Sequence, residues 1–279
     1  MGISLDSITA FGVEIGISDP CPCDSGRRVY ECCGDGAGLY KRPATVPDTR
    51  QPVAYAHPQC YASETLRCSK QGSGEHYLTR KVMEYVTENG QGKLKGFEFG
   101  TIPARGAIGR VLCRAHNSAL SSLDDEIVRL VKTIHAPRPG LALFNGQDIE
   151  RWMVKAVLGM VAAGVVRTGG TRFELRRRND WVRYLFEPNF KIRPRAGLYL
   201  GAPHENHEAL LKVGLIDDRP ELVALEVVIA GVPLIMAAYP PQPRVAMFRN
   251  AGHHPRAFQP RGGAVIGFCW PEHRERYLP

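Results

Sequence analysis

The sequence predicts an α+β fold in three parts. Seven of the eight cysteines lie in two tight groups before residue 114. Apolar residues then repeat at helical spacing through two segments between residues 122 and 164, and from Thr171 the apolar period changes to two. The cysteine groups predict two small modules, over residues 1–50 and 51–136. The change of period predicts a C-terminal domain of helices and antiparallel strands over residues 137–279.

Composition narrows the class of protein. The chain has 279 residues, of which 44% are hydrophobic, enough for one large or two modest cores and too many for a disordered chain. The longest apolar run, residues 157–166, is about half of what a bilayer crossing needs. Residues 1–20 contain no basic residue of the kind that begins a secretory signal. We therefore expect a cytoplasmic protein without a membrane partner.

The net charge of +8 comes from residues 126–279, which contain 22 basic and 14 acidic side chains. Most of these basic residues are arginines, whose planar guanidinium group pairs with phosphate through two hydrogen bonds. A coding bias toward arginine would give the same composition. The charge is compatible with a nucleic-acid partner and does not require one.

The first cysteine group is Cys21-Pro22-Cys23, followed after eight residues by Cys32-Cys33. Four thiols this close suit a tetrahedral zinc ion better than two disulfides in a reducing compartment. With Ser25-Gly26 and two arginines between the pairs, the segment resembles the SEC-C motif, although Asp24 and Val29 stand where that motif has glycine and an aromatic residue. The resemblance implies a small zinc ribbon that docks a protein partner. The alternative is that zinc merely gives this short segment a fold.

The second group is Cys60, Cys68 and Cys113, with His116 completing a Cys-x-x-His knuckle. The apolar pair Val111-Leu112 predicts a strand that ends at this knuckle, and a helix is expected to follow. A first knuckle, a strand turn and a second knuckle that leads a helix are the parts of a treble-clef zinc finger. The four residues would hold a second structural zinc ion.

Glu75-His76 lies between the two knuckles, and Asn117 follows the last ligand. Together with the Cys-Ser and Leu-Cys-x-x-His-Asn segments, this pattern resembles divergent bacterial members of the HNH endonuclease superfamily. The resemblance implies cleavage of nucleic-acid phosphodiester bonds, with His76 as general base and Glu75 as a supporting carboxylate. It further implies that Asn117 binds a catalytic Mg²⁺ or Mn²⁺ ion.

One departure from the HNH pattern leaves an alternative function open. HNH enzymes usually have an asparagine shortly before the second knuckle, where this chain has Ala107-Ile108-Gly109-Arg110. Arg105 or Arg110 would have to replace it in orienting His76. Without such a replacement, the chain would be a non-catalytic zinc-finger adaptor that binds nucleic acid or a protein partner.

Besides the helix after the second knuckle, three helices are predicted before the C-terminal strands. The first begins near Thr79, and the second runs from a capping sequence at Ser122 to about His135. The third is capped by Asn145, has Asp148 in its first turn and ends at Gly164. Its apolar stripe is interpreted as core.

Seven strands are predicted after these helices, with a hairpin at residues 228–234. They span residues 171–178, 181–186, 196–200, 222–229, 233–239, 245–248 and 264–270. Arg172, Glu174, Arg176 and Arg178 would share one strand face, which either faces solvent or follows a phosphate backbone. The pair His253-His254 is interpreted as incidental. The chain has no nucleotide-binding or serine-hydrolase motif.

Overall fold

The computed structural model describes most of the chain, in ranges separated by gaps. These are residues 7–34, 38–89, 93–96, 100–103, 108–135, 139–165, 167–168, 171–172, 175, 178–187, 190–192, 194–201, 211–218, 221–229, 231–237, 252–260 and 263–271. Helices and strands are mixed along these ranges, which confirms the predicted α+β class.

The N-terminal part begins with a hairpin. Strands β1 (Ser7–Ala10) and β2 (Val13–Gly16) pair antiparallel, and the turn residues Phe11 and Gly12 both have positive φ angles. A short 3-10 helix (Val29–Glu31) follows between the two cysteine pairs. The hairpin is not among the predicted elements, because strands of four residues give little periodic signal.

The middle part is built on two antiparallel strands, β3 (Gly72–His76) and β6 (Ile108–Cys113). Its other elements are a 3-10 helix (Ser63–Thr65), α1 (Arg80–Asn89), β4 (Lys93–Gly96), β5 (Gly100–Pro103) and α2 (Arg114–Ala119). The predicted helix near Thr79 is confirmed, as is the strand that ends at Cys113.

Two long helices follow, α3 (Ser121–His135) and α4 (Gly146–Ala162), with β7 (Leu141–Asn145) between them. The predicted cap of α4 is confirmed, since the Asn145 side chain accepts a hydrogen bond of 3.2 Å from the backbone N–H of Asp148. Strand β7 is a further element that the sequence does not predict. It pairs with a strand more than 100 residues later, and no local pattern reveals such a partner.

The remaining elements correct one predicted strand. They are β8 (Arg167–Thr168), β9 (Thr171–Arg172), α5 (Arg178–Phe186), β10 (Gly197–Leu200), β11 (Leu211–Asp218), β12 (Glu221–Ile229), β13 (Val232–Ala237), β14 (Gly252–His253), β15 (Ala257–Phe258) and β16 (Val265–Cys269). Residues 181–186 are helical, so the strand predicted there is wrong. Trp181, Val182 and Leu185 are all buried and share one helical face.

The other predicted strands have mixed outcomes. The hairpin at residues 228–234 is confirmed by antiparallel pairing of β12 with β13. The strand predicted at 171–178 is reduced to β9, because Arg178 already begins α5. Arg178 is therefore not on the predicted charged strand face, and that part of the prediction is wrong. Glu174, Arg176 and the strand at 245–248 lie outside the described residues and stay predictions.

Two sheets organise the C-terminal part. Within the described residues, the larger has seven strands in the order β14-β10-β13-β12-β11-β4-β5, and the smaller has three in the order β15-β16-β7. Each contains one parallel pair, β11 with β4 and β16 with β7, so the prediction of purely antiparallel strands is wrong. The parallel partners are distant in sequence, which is why strand patterns alone did not indicate them.

The hydrophobic core crosses the predicted module boundaries. One cluster of buried side chains extends from Cys60 to Trp270. A second joins the first cysteine group to Leu143 of β7 and Cys269 of β16. The division into three domains stays a prediction. Among the described helices, none is long and apolar enough to cross a membrane.

Candidate metal centres and the His76 site

The first cysteine group forms a compact quartet of sulfur atoms. The Sγ atoms of Cys21, Cys23, Cys32 and Cys33 all lie within 4.8 Å of one another. The chain turns between the two pairs at Asp24 and Gly26, which both have positive φ angles, and the Cys21 N–H donates to the Arg27 carbonyl at 2.8 Å. Four soft ligands at this separation fit a tetrahedral zinc ion.

Two polar neighbours donate hydrogen bonds to this quartet, and the thiols act on one another. The Ser25 hydroxyl and an Arg27 guanidinium N–H donate to Cys32 Sγ at 3.2 and 3.4 Å. Hydrogen bonding to Cys23 raises the pKa of Cys21 to about 11, whereas hydrogen bonds from Cys21 and Cys33 lower the pKa of Cys23. The thiols of Cys21 and Cys23 therefore resist ionising together. A dication would supply the positive charge that lets all four act as thiolates.

The second quartet is fully buried and consists of Cys60, Cys68, Cys113 and His116. His116 Nδ1 lies 3.2 Å from Cys113 Sγ, 3.5 Å from Cys60 Sγ and 3.6 Å from Cys68 Sγ. Nδ1 is therefore the nitrogen that would bind the metal. Burial lowers the pKa of His116 to about 4, so the imidazole is neutral, as a ligand must be.

Two hydroxyl groups orient the His116 ring from its other side. Thr65 Oγ1 lies 3.1 Å and Thr49 Oγ1 3.2 Å from His116 Nε2, and the Phe186 ring packs at 4.6 Å between centroids. Contacts of this kind fix the tautomer and direction of a ligating histidine. Both predicted ligand sets are thus brought together, and each is compatible with a zinc site.

His76 is the last residue of β3 and lies opposite Ile108 of β6. Its side chain is partly buried. Burial, followed by the positive charges of Arg80 and Lys155, lowers the pKa of His76 below its usual value, while Glu84 and Asp124 act in the opposite direction. The imidazole is therefore neutral near pH 7 and able to accept a proton.

Asn117 is held on α2, on the side that faces β3. Its Nδ2 donates to Ser73 Oγ at 2.8 Å, which joins α2 to β3 three residues before His76. Within the described part of the chain, no hydrogen bond links His76 with Asn117. The side chain of Glu75 lies outside that part.

Arg105 and Arg110 are the two residues that the sequence offers for orienting His76. Arg110 is exposed on β6, where the pairing register with β3 shifts between Ser73 and Glu75. An irregularity of this kind changes the direction of nearby side chains. Arg105 lies outside the described residues, so its role stays a prediction.

A charged group close to His76 was not predicted from the sequence. Lys155 Nζ of α4 contacts both carboxylate oxygens of Asp124 on α3 at 2.8 Å. Thr79 donates to the same carboxylate at 2.6 Å and accepts from Trp152 Nε1 at 2.6 Å. The available signal was a lysine within the apolar stripe of α4. Its partner becomes visible only once α3 and α4 are packed together.

His254 is not incidental, contrary to the sequence interpretation. Its Nε2 donates to Glu150 Oε2 at 3.0 Å, and its ring stacks on Trp270 at 4.0 Å between centroids. Glu150 is only 1% exposed and also accepts from the Tyr184 hydroxyl and the Leu198 N–H. This carboxylate therefore joins α4, α5, β10 and the segment after β14.

A groove of about 290 Å³ lies beside the second quartet. Its lining includes Phe186, Arg67, Arg183 and Glu187. The arginines are paired, Arg183 with Glu187 at 3.0 Å and Arg67 with Asp48 at 3.4 Å. The groove therefore offers mixed charge and not the positive surface that binds nucleic acid.

Comparison with profiles of known families, with curated proteins and with solved structures finds no match for this chain. The resemblance to SEC-C and HNH proteins therefore stays a prediction from the sequence.

Proposed function

We propose that the protein is a metal-dependent endonuclease that cleaves nucleic-acid phosphodiester bonds with His76 as general base. In this proposal the two cysteine quartets hold structural zinc ions. The observation that carries the proposal is the neutral, partly buried His76 at the end of β3, within a strand–strand–helix unit. That unit is tied to the second quartet because Cys113 ends β6 and His116 lies on α2.

In this proposal His76 takes a proton from water while the water oxygen attacks phosphorus. A new P–O bond forms as the bond to the leaving oxygen breaks. Asn117, through its side-chain oxygen, would hold a divalent ion, and Glu75 would support the site as a nearby carboxylate. Bound Mg²⁺ or Mn²⁺ supplies stabilisation of negative charge on the phosphate and leaving group.

Two surfaces support the proposed partners. Arg80, Arg110 and Arg114 are exposed on the elements that carry or adjoin His76 and would contact phosphates of a nucleic acid. On the first quartet's module, Tyr30 is 54% exposed beside Arg28, as an aromatic anchor for a protein partner would be.

Cysteine quartets that bind zinc favour a reducing compartment, so we place the protein in the cytoplasm.

The alternative function is a non-catalytic zinc adaptor for nucleic acid or protein. It is favoured by one observation, the bond from Asn117 to Ser73, which uses the amide to connect two elements of the finger. Under this alternative, the protein would bind a nucleic acid without cutting it.

Cleavage of mixed single- and double-stranded DNA and RNA in Mg²⁺, Mn²⁺ or EDTA tests the proposal. The variants are His76→Ala and, as a matched control, His135→Ala, since His135 is also partly buried with a pKa lowered by burial. We expect cleavage that requires the divalent ion, is lost in His76→Ala and persists in His135→Ala. A protein that retains zinc in both quartets and cuts none of these substrates would contradict the nuclease. A mobility-shift assay on the same substrates would then test the adaptor.

A further inference from the structure

Lys155 has a buried side chain, although lysine side chains are rarely buried. Its side chain is 2% exposed, whereas that of its partner Asp124 is 23% exposed. The ammonium contacts both oxygens of the carboxylate at 2.8 Å. Removing such a pair from water costs free energy, which the mutual attraction and the hydrogen bonds of the two groups must offset.

The pair is fixed to the segment that follows His76. Thr79 lies three residues after His76, immediately before α1, and its hydroxyl donates to Asp124. Trp152, one turn before Lys155 on α4, donates to the same hydroxyl. Tyr77 packs so closely on Gly159 of α4 that a Cβ at Gly159 would lie 2.7 Å from the Tyr77 Cβ. The chain that follows His76 is thus held against α3 and α4.

We infer that Lys155 and Asp124 are positioning residues of the His76 site, so that α3 and α4 belong to this site together with the zinc-bound strands. This inference rests on the proposed function, because it takes His76 to be the general base. The effect of the charge pair on His76 can nevertheless be tested without an activity assay.

The physical basis is the fixed position of the charges. Four charged groups act on His76, namely Arg80 and Glu84 on α1, Lys155 on α4 and Asp124 on α3. Arg80 and Glu84 pair with each other on the surface, where solvent and salt screen them. Lys155 and Asp124 are held by hydrogen bonds in a less polar environment, so their charges act on the imidazole with less screening. The cation disfavours the imidazolium, and the carboxylate favours it.

The test is the NMR titration of the His76 imidazole in the zinc-loaded full chain, with the resonance assigned by its loss in His76→Ala. The variants are Lys155→Met and Asp124→Asn, with Lys132→Met as a control that removes an exposed cation from α3. We expect the pKa of His76 to rise in Lys155→Met and to fall in Asp124→Asn. Lys132→Met should leave the titration unchanged.

Shifts of opposite sign would establish the placement, because loss of packing alone moves both variants in one direction. No shift in either folded variant, or shifts of the same sign, would overturn the inference. If Lys155→Met and Asp124→Asn both fail to fold while Lys132→Met folds, the pair has a purely structural role. This outcome would also overturn the inference. Absence of cleavage by the unaltered protein would instead count against the nuclease, and the titration would still report on the charge pair.

Discussion

Glu150 carries an unusual share of the contacts in the C-terminal part, because one buried carboxylate accepts from Tyr184, Leu198 and His254. In Glu150→Gln an amide N–H₂ would face some of these donors. We expect a loss of about 2–4 kcal/mol in the free energy of unfolding, measured by urea denaturation. The matched control is Glu187→Gln, in an exposed pair with Arg183, with a change below about 1 kcal/mol. Equal effects in the two variants would contradict the role given to Glu150.

Asp148 predicts a pH dependence of stability. Burial raises the pKa of Asp148 from 3.8 to about 7, while both of its oxygens accept from the Ala44 N–H, at 3.0 and 2.9 Å. The folded state therefore binds a proton more tightly than the unfolded state does. The tighter proton binding by Asp148 contributes fully to the stability of the folded state below about pH 4. This contribution is lost as the pH rises to about 7.

Asp148→Asn removes this contribution and keeps an acceptor for Ala44. We expect the difference in unfolding free energy, variant minus unaltered protein, to increase by a few kcal/mol between pH 4 and pH 7. Asp125→Asn, at an exposed residue paired with Lys81, is the control and should give a nearly constant difference. A constant difference in Asp148→Asn as well would show that this carboxyl titrates normally.

At the scale of elements, α4 is placed by close contact with the segment that carries His76. A methyl group at Gly159 would lie 2.7 Å from the Tyr77 Cβ, so one of the two backbones must move. Gly159→Ala should therefore cost about 1–3 kcal/mol in thermal unfolding despite the better helix propensity of alanine. Gly252→Ala is the control, since nothing lies within 4 Å of its added Cβ. A stabilised Gly159→Ala would contradict this packing.

An element could be predicted from the sequence when its signals are local. Helices α3 and α4 were predictable because their caps and apolar stripes are local signals. Helix α5 was mistaken for a strand, since its short run of buried residues fits either period until it packs on α4. Strand β7 depends on β16, and the pair Lys155–Asp124 depends on how two helices pack. Contacts of this kind between distant residues leave no pattern in one sequence.

The metal ligands were the most predictable part of the site. Cysteine spacing is a local chemical signal, and all eight predicted ligands fall into the two quartets. The relation of His76 to Asn117 could not be predicted from spacing, because it depends on how α2 lies on β3. The connection from Asn117 to Ser73 is a product of that packing.

At the scale of the whole molecule, the first quartet is joined to the rest through shared contacts. Leu143 and Cys269 pack in the same cluster as Cys21 and Cys33, and the Leu143 N–H donates to the Pro22 carbonyl at 2.9 Å. The exposed side chains of Ser25 and Arg27 both donate hydrogen bonds to Cys32 Sγ. We expect Arg27→Ala to weaken zinc binding by about tenfold in a chelator competition, as loss of a neighbour of a ligand does. Arg50→Ala, at a surface arginine paired with Asp48, should leave the affinity unchanged.

Both proposed functions require a zinc ion in each quartet, so the zinc content of the purified full chain is the most direct measurement. Elemental analysis should give two zinc ions per chain, one for each quartet. Cys32→Ser, at the partly exposed ligand of the first quartet, should leave one. A content below two in the unaltered protein, or an unchanged content in Cys32→Ser, would contradict the account.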